Sequence, residues 1–168
     1  GLGNLGSRMA QIAKAFDMNV IAWSENLTQK RCDEFEVRLV SKDQLMAQSD
    51  FLTIHLILSD RTRGVIGSDD LARMKTTAYI INTARGPIID EDALVDCLQR
   101  KAIGGAGIDV FSIEPLPADH PFRGLNNTVI TPHLGYVEEE SYGAYFRGYV
   151  EAIDAFLKGE PKNFIGGY

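Results

Sequence analysis

The chain has 168 residues, enough for one domain with a sizeable core and too few for two of ordinary size. Its composition, 45% hydrophobic and 24% charged, is that of a water-facing globular protein, and a net charge of −6 argues against nucleic acid or an anionic membrane as partner. Apolar runs of only strand length, no basic-then-apolar leader, and cysteines (Cys32, Cys97) too far apart for a metal or redox motif predict a cytoplasmic protein without bound metal.

Gly1, Gly3 and Gly6 fit the G-x-G-x-x-G spacing, whose glycines allow a tight turn and close backbone approach to a pyrophosphate at the start of a helix. The spacing alone is weak, but helix, strand and an acidic side chain follow in the order that a dinucleotide site requires. In the helix over 7–16, Met9, Ile12, Ala13 and Phe16 share one face. Residues 19–23 read as a strand, 27–34 as a short irregular helix and 37–40 as a short strand. Ser41 is placed to cap a helix running to Gln48, with Leu45 and Met46 inward. Residues 50–58 form a continuous apolar strand of the kind buried on both faces. A short helix over 68–74 and a strand over 78–81 come next. The helix over 90–100 carries Leu94, Val95 and Leu98, with Asp90, Glu91 and Asp92 at its positive end. Residues 105–110 and 129–131 are the last strands. A long helix over 138–158 stops at Gly159 and Pro161. Its Tyr142, Tyr145, Phe146, Tyr149, Ile153, Phe156 and Leu157 recur at helical spacing, which predicts a buried face, with an interdomain surface as the alternative for part of it.

Strands alternating with helices predict an α/β fold, a Rossmann-type doubly wound parallel sheet in three layers. The glycine turn of such a sheet follows a strand, and here it stands at residue 1. The sheet is therefore expected to lack its first strand, the one between residues 19–23 and 50–58. The one long loop, 112–127, carries prolines at 115, 117 and 121, and long ordered loops are often functional.

Three apolar strands in succession each deliver an ionisable residue just past their carboxyl ends: Arg85, Glu114 and His133. In a parallel sheet that edge is where ligands bind. A guanidinium holds a carboxylate through two hydrogen bonds, an imidazole exchanges protons near neutral pH, and a carboxylate neighbour favours an imidazole's protonated form. Singly each has a structural reading: Arg85 as a helix cap or partner of Asp90, Glu114 as the start of a proline turn, His133 as a hydrogen-bonded histidine. Together they form a reaction set. His55, inside a strand, reads as structural, and His120, in the proline loop, as loop structure or a subunit contact.

Through Asn82-Thr83-Ala84-Arg85-Gly86, Asp109-Val110-Phe111 with Glu114-Pro115, and Pro132-His133-Leu134-Gly135, the chain resembles the NAD-binding domain of the D-isomer-specific 2-hydroxyacid dehydrogenases over essentially its whole length. The resemblance implies an oxidoreductase moving hydride between NAD(P) and a 2-hydroxy or 2-oxo acid. It implies Arg85 on the substrate carboxylate and carbonyl, His133 in proton transfer and Glu114 orienting it. Implied cofactor contacts are Gly1, Gly3, Asn4, Leu5 and Gly6 at the pyrophosphate, Ser24 and Glu25 at the adenosine ribose, Leu56 and Ile57 beside the adenosine, and Thr62. Thr83, Ala84 and Arg85 would line the nicotinamide pocket and Asp109 meet the carboxamide, with His133 and Gly135 completing the set.

The second strand ends Trp23-Ser24-Glu25 where the family usually has Asp, residues 56–59 lack the usual proline, and Tyr136-Val137-Glu138 replaces a small residue and a threonine. Glu25 would repel a 2′-phosphate while Lys30 and Arg31 are near enough in sequence to attract one; the acidic residue favours NAD over NADP. The resemblance further implies a homodimer through residues 61–75 and the loop 111–122, which presents Phe111, Pro117 and Phe122. With the substrate domain outside residues 1–168, the chain alone is expected to be inactive. A dinucleotide-sensing corepressor of the same fold, or a degenerate fragment, is the alternative.

Overall fold

Helices and strands alternate along residues 1–162, the part of the chain that the computed structural model describes. In order they are α1 (Asn4–Ala15), β1 (Ile21–Ala22), α2 (Gln29–Asp33), β2 (Arg38–Leu39), α3 (Lys42–Gln48), β3 (Phe51–Ile54), α4 (Ser68–Arg73), β4 (Tyr79–Asn82), α5 (Glu91–Gln99), β5 (Gly105–Ile108), β6 (Thr128–Ile130) and α6 (Glu139–Leu157). Residues 1–133 form one compact unit holding every named strand, and a second unit beginning at Leu134 holds α6.

Side chains written into the sequence start the helices. Ser41 Oγ accepts from the Gln44 amide at 3.1 Å while the Gln44 side chain accepts from the Ser41 amide at 3.0 Å, a reciprocal cap. Asp90 and Glu138 cap α5 and α6 on the amides of Ala93 and Ser141. At the far end of α6, Gly159 takes φ +75°, the left-handed conformation that glycine tolerates best.

All strand pairs are parallel, and β3-β4-β5-β6 form one four-stranded sheet. The register sets Ile54, Asn82, Ile108 and Ile130 level. Four chain segments therefore leave the sheet along one edge, through His55, Thr83, Asp109 and Thr131. One sheet face, with Leu52, Ile54, Ile80, Ala106 and Ile108, packs into a core with Met46, Leu71, Leu94, Cys97 and Leu98. Each large side chain buried there contributes about 1.5–3 kcal/mol. A separate two-stranded sheet, β1 beside β2, has its own small core of Leu2, Ala10, Ala22, Cys32 and Val37. Among the described residues no strand pairs β1 with β3. Gly1 stands at the mouth of that slot: its amine donates to the Trp23 carbonyl at 3.0 Å, and a Cβ added to it would lie 2.6 Å from the His55 carbonyl oxygen.

Four sequence expectations change. The segment 50–58 is not a strand buried on both faces: β3 is four residues long and alternates, Phe51 58% exposed and Leu52 5%. Phe51 stacks on Tyr79 with centroids 5.7 Å apart, an aromatic pair on the outer face that stays largely exposed. In α1 the buried residues are Gly6, Ser7 and Ala10, while Met9, Ile12 and Phe16 face outward; small side chains let the helix descend onto the glycine turn. The α6 stripe is exposed rather than buried, Tyr142 to Leu157 alike. Finally, Phe111 and Phe122 are not presented by their loop. They are 5% and 1% exposed, with rings 6.3 Å apart, because the turn Pro121–Gly124 folds Phe122 into the core. Ile113 is the large apolar side chain that this loop leaves exposed.

Candidate active site

The segments after β1, β3 and β4 open onto a cleft of about 1220 Å³ lined by Gly1, Gly3, Asn4, Leu5, Ser24, Glu25, Leu56, Ile57, Thr62, Thr83, Ala84 and Arg85. Pockets for drug-sized ligands span roughly 300–1,000 Å³, so this one suits a longer, extended molecule. Gly6 lies beneath the cleft rather than in its wall, where a Cβ would overlap the Gly1 carbonyl oxygen. Gly3 is the reverse case, with nothing within 4 Å of an added Cβ. No side chain caps α1 and no acidic residue sits in its first turn. The amides there, which lack partners within the helix, are left for an anion. A close-packed Gly6, an open Gly3 and an uncapped helix start fit the pyrophosphate of a dinucleotide.

At the other wall, Thr62 Oγ donates to the Ile57 carbonyl at 2.6 Å and accepts from the Ser59 amide at 2.8 Å. Thr62 thus fastens the turn after β3. Arg31, which sequence proximity offered as a phosphate ligand, is engaged elsewhere: Nε donates to the Leu2 carbonyl at 3.2 Å, Nη1 pairs with Glu34 at 2.7 Å, and the guanidinium lies over the Phe35 ring.

Arg85 is aimed by Asn82. This side chain, 2% exposed, donates to the Arg85 carbonyl and accepts from the Ala84 amide, both at 3.0 Å. The turn Thr83–Arg85 is closed by one buried amide, a positioning role that the sequence reading did not assign.

Glu114 and His133 meet. His133 Nδ1 is 2.7 Å from Glu114 Oε2, and Glu114 Oε1 accepts from the Phe111 amide at 2.9 Å. Burial pushes the Glu114 carboxyl up, but the hydrogen bonds from His133 and Phe111 and the charges of His133 and Arg85 outweigh it. Its pKa lies below the ordinary glutamate value. An ionised carboxylate can only accept, so Nδ1 carries the hydrogen that faces Glu114. His133 itself holds φ +57°, a left-handed conformation uncommon outside glycine and typical of functional positions. Asp109, buried at the end of β5, accepts from the Thr131 hydroxyl. Gly135 falls in the second unit.

His55 and His120 both have partners within the chain. Burial holds the His55 imidazole below its ordinary value, and its Nε2 is 3.0 Å from the Thr53 hydroxyl. His120 Nδ1 accepts from the Phe122 amide and Nε2 is 3.4 Å from Glu91, which also accepts from the Ser112 amide. Glu91 thereby holds the loop bearing Glu114, another role that no local motif signals. Among the described residues no helix is long and apolar enough to cross a membrane, and no three His, Cys, Asp or Glu side chains gather to hold a metal ion.

Comparison with known proteins agrees with this geometry. The D-isomer specific 2-hydroxyacid dehydrogenase, NAD binding domain, family matches residues 1–135. The chain is 41% identical over 161 residues to a D-3-phosphoglycerate dehydrogenase of Synechocystis sp., covering 96% of this chain and 29% of that protein. It is 39% identical over 166 residues to a glyoxylate reductase of Aeropyrum pernix, covering 98% of this chain and 50% of that protein. The fold superposes with a TM-score of 0.93 on the crystal structure of a putative D-3-phosphoglycerate dehydrogenase from Ralstonia solanacearum, 39% identical, over 98% of this chain and 48% of that one. The chain thus spans half or less of the length of these relatives. A Rossmann-type parallel sheet with a glycine turn and a dinucleotide-sized cleft, matched over residues 1–135, places the chain in the D-isomer-specific 2-hydroxyacid dehydrogenase family, as its NAD-binding domain.

Proposed function

We propose that the chain is the cofactor-binding part of an NAD(P)-dependent D-2-hydroxyacid dehydrogenase that interconverts a short 2-oxo acid and its 2-hydroxy acid, with NADH favoured over NADPH. The observation that carries this reading is the 2.7 Å contact of His133 with Glu114 at the edge where ligands bind, with the charge of Arg85 within reach of Glu114. The nicotinamide, when bound, supplies the hydride. Arg85 holds the substrate carboxylate through its fork of donors, as a lysine would not. His133 Nε2 gives a proton to, or takes it from, the oxygen on the substrate's C2. Glu114 fixes the ring's tautomer and orientation, as the carboxylate partner of a working histidine does. The test is oxidation of NADH or NADPH by the full-length protein with glyoxylate and hydroxypyruvate. Absence of turnover across short 2-oxo acids would sink the proposal.

The same reading includes a substrate domain elsewhere in the protein and one more parallel strand, from residues preceding Gly1, in the slot between β1 and β3. The unjoined β1 and β3 support it, since each unpaired buried backbone group costs roughly 1–3 kcal/mol. A chain starting at Gly1 is expected to denature at lower urea concentration than one extended by that strand, and to show little turnover. Equal midpoints would contradict it. A homodimer belongs to the same reading; a monomer by light scattering at micromolar concentration would remove it.

Two substitutions test the positioning residues. Asn82→Ala strips partners from the part-buried Ala84 amide and Arg85 carbonyl, an expected loss of about 0.5–1.5 kcal/mol per hydrogen bond, read as a lower denaturation midpoint and a raised KM for the acid. For Glu114 the pH sign is set by its lowered pKa: its contribution to stability is full above the ordinary glutamate value and disappears as pH falls through the lower folded value. The stability gap between wild type and Glu114→Gln should be constant near neutrality and close in acid. Denaturation midpoints from about pH 7 to about pH 3 check this.

A further inference from the structure

We infer that Arg61, carried into the cleft by the turn after β3, is the residue that receives a 2′-phosphate, that Glu25 opposes it, and that this pair sets the choice between NADP(H) and NAD(H). The inference rests on the dinucleotide reading above and names the residues that decide its specificity.

Glu25 follows β1 and Arg61 follows β3, yet both line the same cleft, as Ser24 does. Arg61 Nη1 is 3.8 Å from Glu25 Oε2, and both side chains are 66% exposed. A pair this long and this wet holds its members weakly. The other cations nearby are committed. Lys42 also lines the cleft, but its Nζ is 2.7 Å from Asp70 in a mostly buried pair and faces the Trp23 ring. Arg31 is tied to Leu2 and Glu34, and Lys30 does not line the cleft. Arg61 is presented firmly by contrast with its loose partner. The Thr62 hydroxyl ties the turn at both ends, and the Thr62 and Arg63 amides both donate to the Ser59 carbonyl, at 3.0 and 2.9 Å.

Two occupants therefore compete over one position. An adenosine ribose with both hydroxyls free donates to the Glu25 carboxylate, the role an acidic residue plays at the end of the second strand. A 2′-phosphate brings nearly two negative charges and three acceptor oxygens, so it takes the Arg61 fork from a single carboxylate and is repelled by Glu25. Cofactor choice then depends on a balance across the cleft rather than on one residue at the strand end. Neither Ser24, which is neutral, nor the sequence neighbours Lys30 and Arg31 decide it.

The experiment titrates full-length wild type, Arg61→Gln and Glu25→Gln with NADH and with NADPH, following nicotinamide fluorescence at low and high salt. Arg61→Gln is expected to weaken NADPH at least about tenfold, the scale of one charge-assisted hydrogen bond, with NADH little changed. Glu25→Gln is expected to tighten NADPH and weaken NADH, and added salt to weaken NADPH more than NADH. Equal effects of Arg61→Gln on both cofactors, or unchanged NADPH affinity in Glu25→Gln, overturn the inference. Failure of wild type to bind either cofactor at millimolar concentration overturns the dinucleotide reading itself, and the inference with it.

Discussion

Replacing His133 with glutamine in the full-length protein is expected to lower kcat by about 10²–10⁴-fold, the range of a lost general acid–base group. Glutamine retains a hydrogen-bonding side chain toward Glu114 but has no nitrogen that exchanges a proton at neutral pH. NADH affinity should move far less than kcat, because the cleft from Gly1 to Arg85 is lined without His133. KM for the acid should also change little, since the proposed holder of the carboxylate is Arg85. Steady-state kinetics with glyoxylate or hydroxypyruvate, beside a fluorescence titration of NADH, separate these quantities. A variant with wild-type kcat removes His133 from the chemistry, and an equal loss of NADH binding makes it a structural residue.

The order of elements was legible in the sequence because caps and apolar periodicity are local. Ser41, Asp90 and Gly159 mark helix boundaries through bonds to residues only a few positions away. The pairing of Glu114 with His133 was legible for another reason: parallel strands in register must release their carboxyl ends on one edge. Exposure was read less well. Apolar residues at helical spacing look buried wherever they occur, yet in α1 the small Gly6, Ser7 and Ala10 face inward because the helix must close on the glycine turn. Phe111 and Phe122 lie in a proline-rich loop that composition assigns to the surface, and only the fold of the turn at Pro121 shows them in the core. The turn-closing role of Asn82 and the proposed cleft role of Arg61, which the sequence places only in a motif and in the expected dimer segment 61–75, come from geometry beyond the local pattern. Asn82 matters through two backbone groups of one turn, and Arg61 through a side chain 36 positions away in the chain, Glu25.

Gly86→Ala is expected to cost both stability and turnover, whereas Gly3→Ala should cost only dinucleotide binding. Gly86 follows Arg85 and opens the turn Gly86–Ile88. A Cβ there would overlap the carbonyl group of Phe111 and lie 2.5 Å from the Ser112 nitrogen. Those atoms are backbone and cannot swing aside like the end of a long side chain. The Phe111 amide holds Glu114, and the Ser112 amide is held by Glu91. Relieving the overlap must therefore separate the segment carrying Arg85 from the segment carrying Glu114. Overpacking of this kind costs about 1–3 kcal/mol, occasionally more, and a shift near 1 Å in a catalytic group can cost about 10²-fold in rate. A lowered denaturation midpoint and a kcat/KM reduced by about that factor are the expected results in the full-length protein. Gly3 is at φ −79°, which alanine adopts freely, and an added Cβ meets nothing within 4 Å. Gly3→Ala should thus fold as wild type does, while its methyl group takes up space in the wall where the pyrophosphate must approach, raising the Kd for NADH. Should Gly86→Ala keep both its midpoint and its rate, the close packing of these two segments is not what holds Arg85 and Glu114 in place. Unchanged NADH affinity in Gly3→Ala would move the pyrophosphate away from the glycine turn.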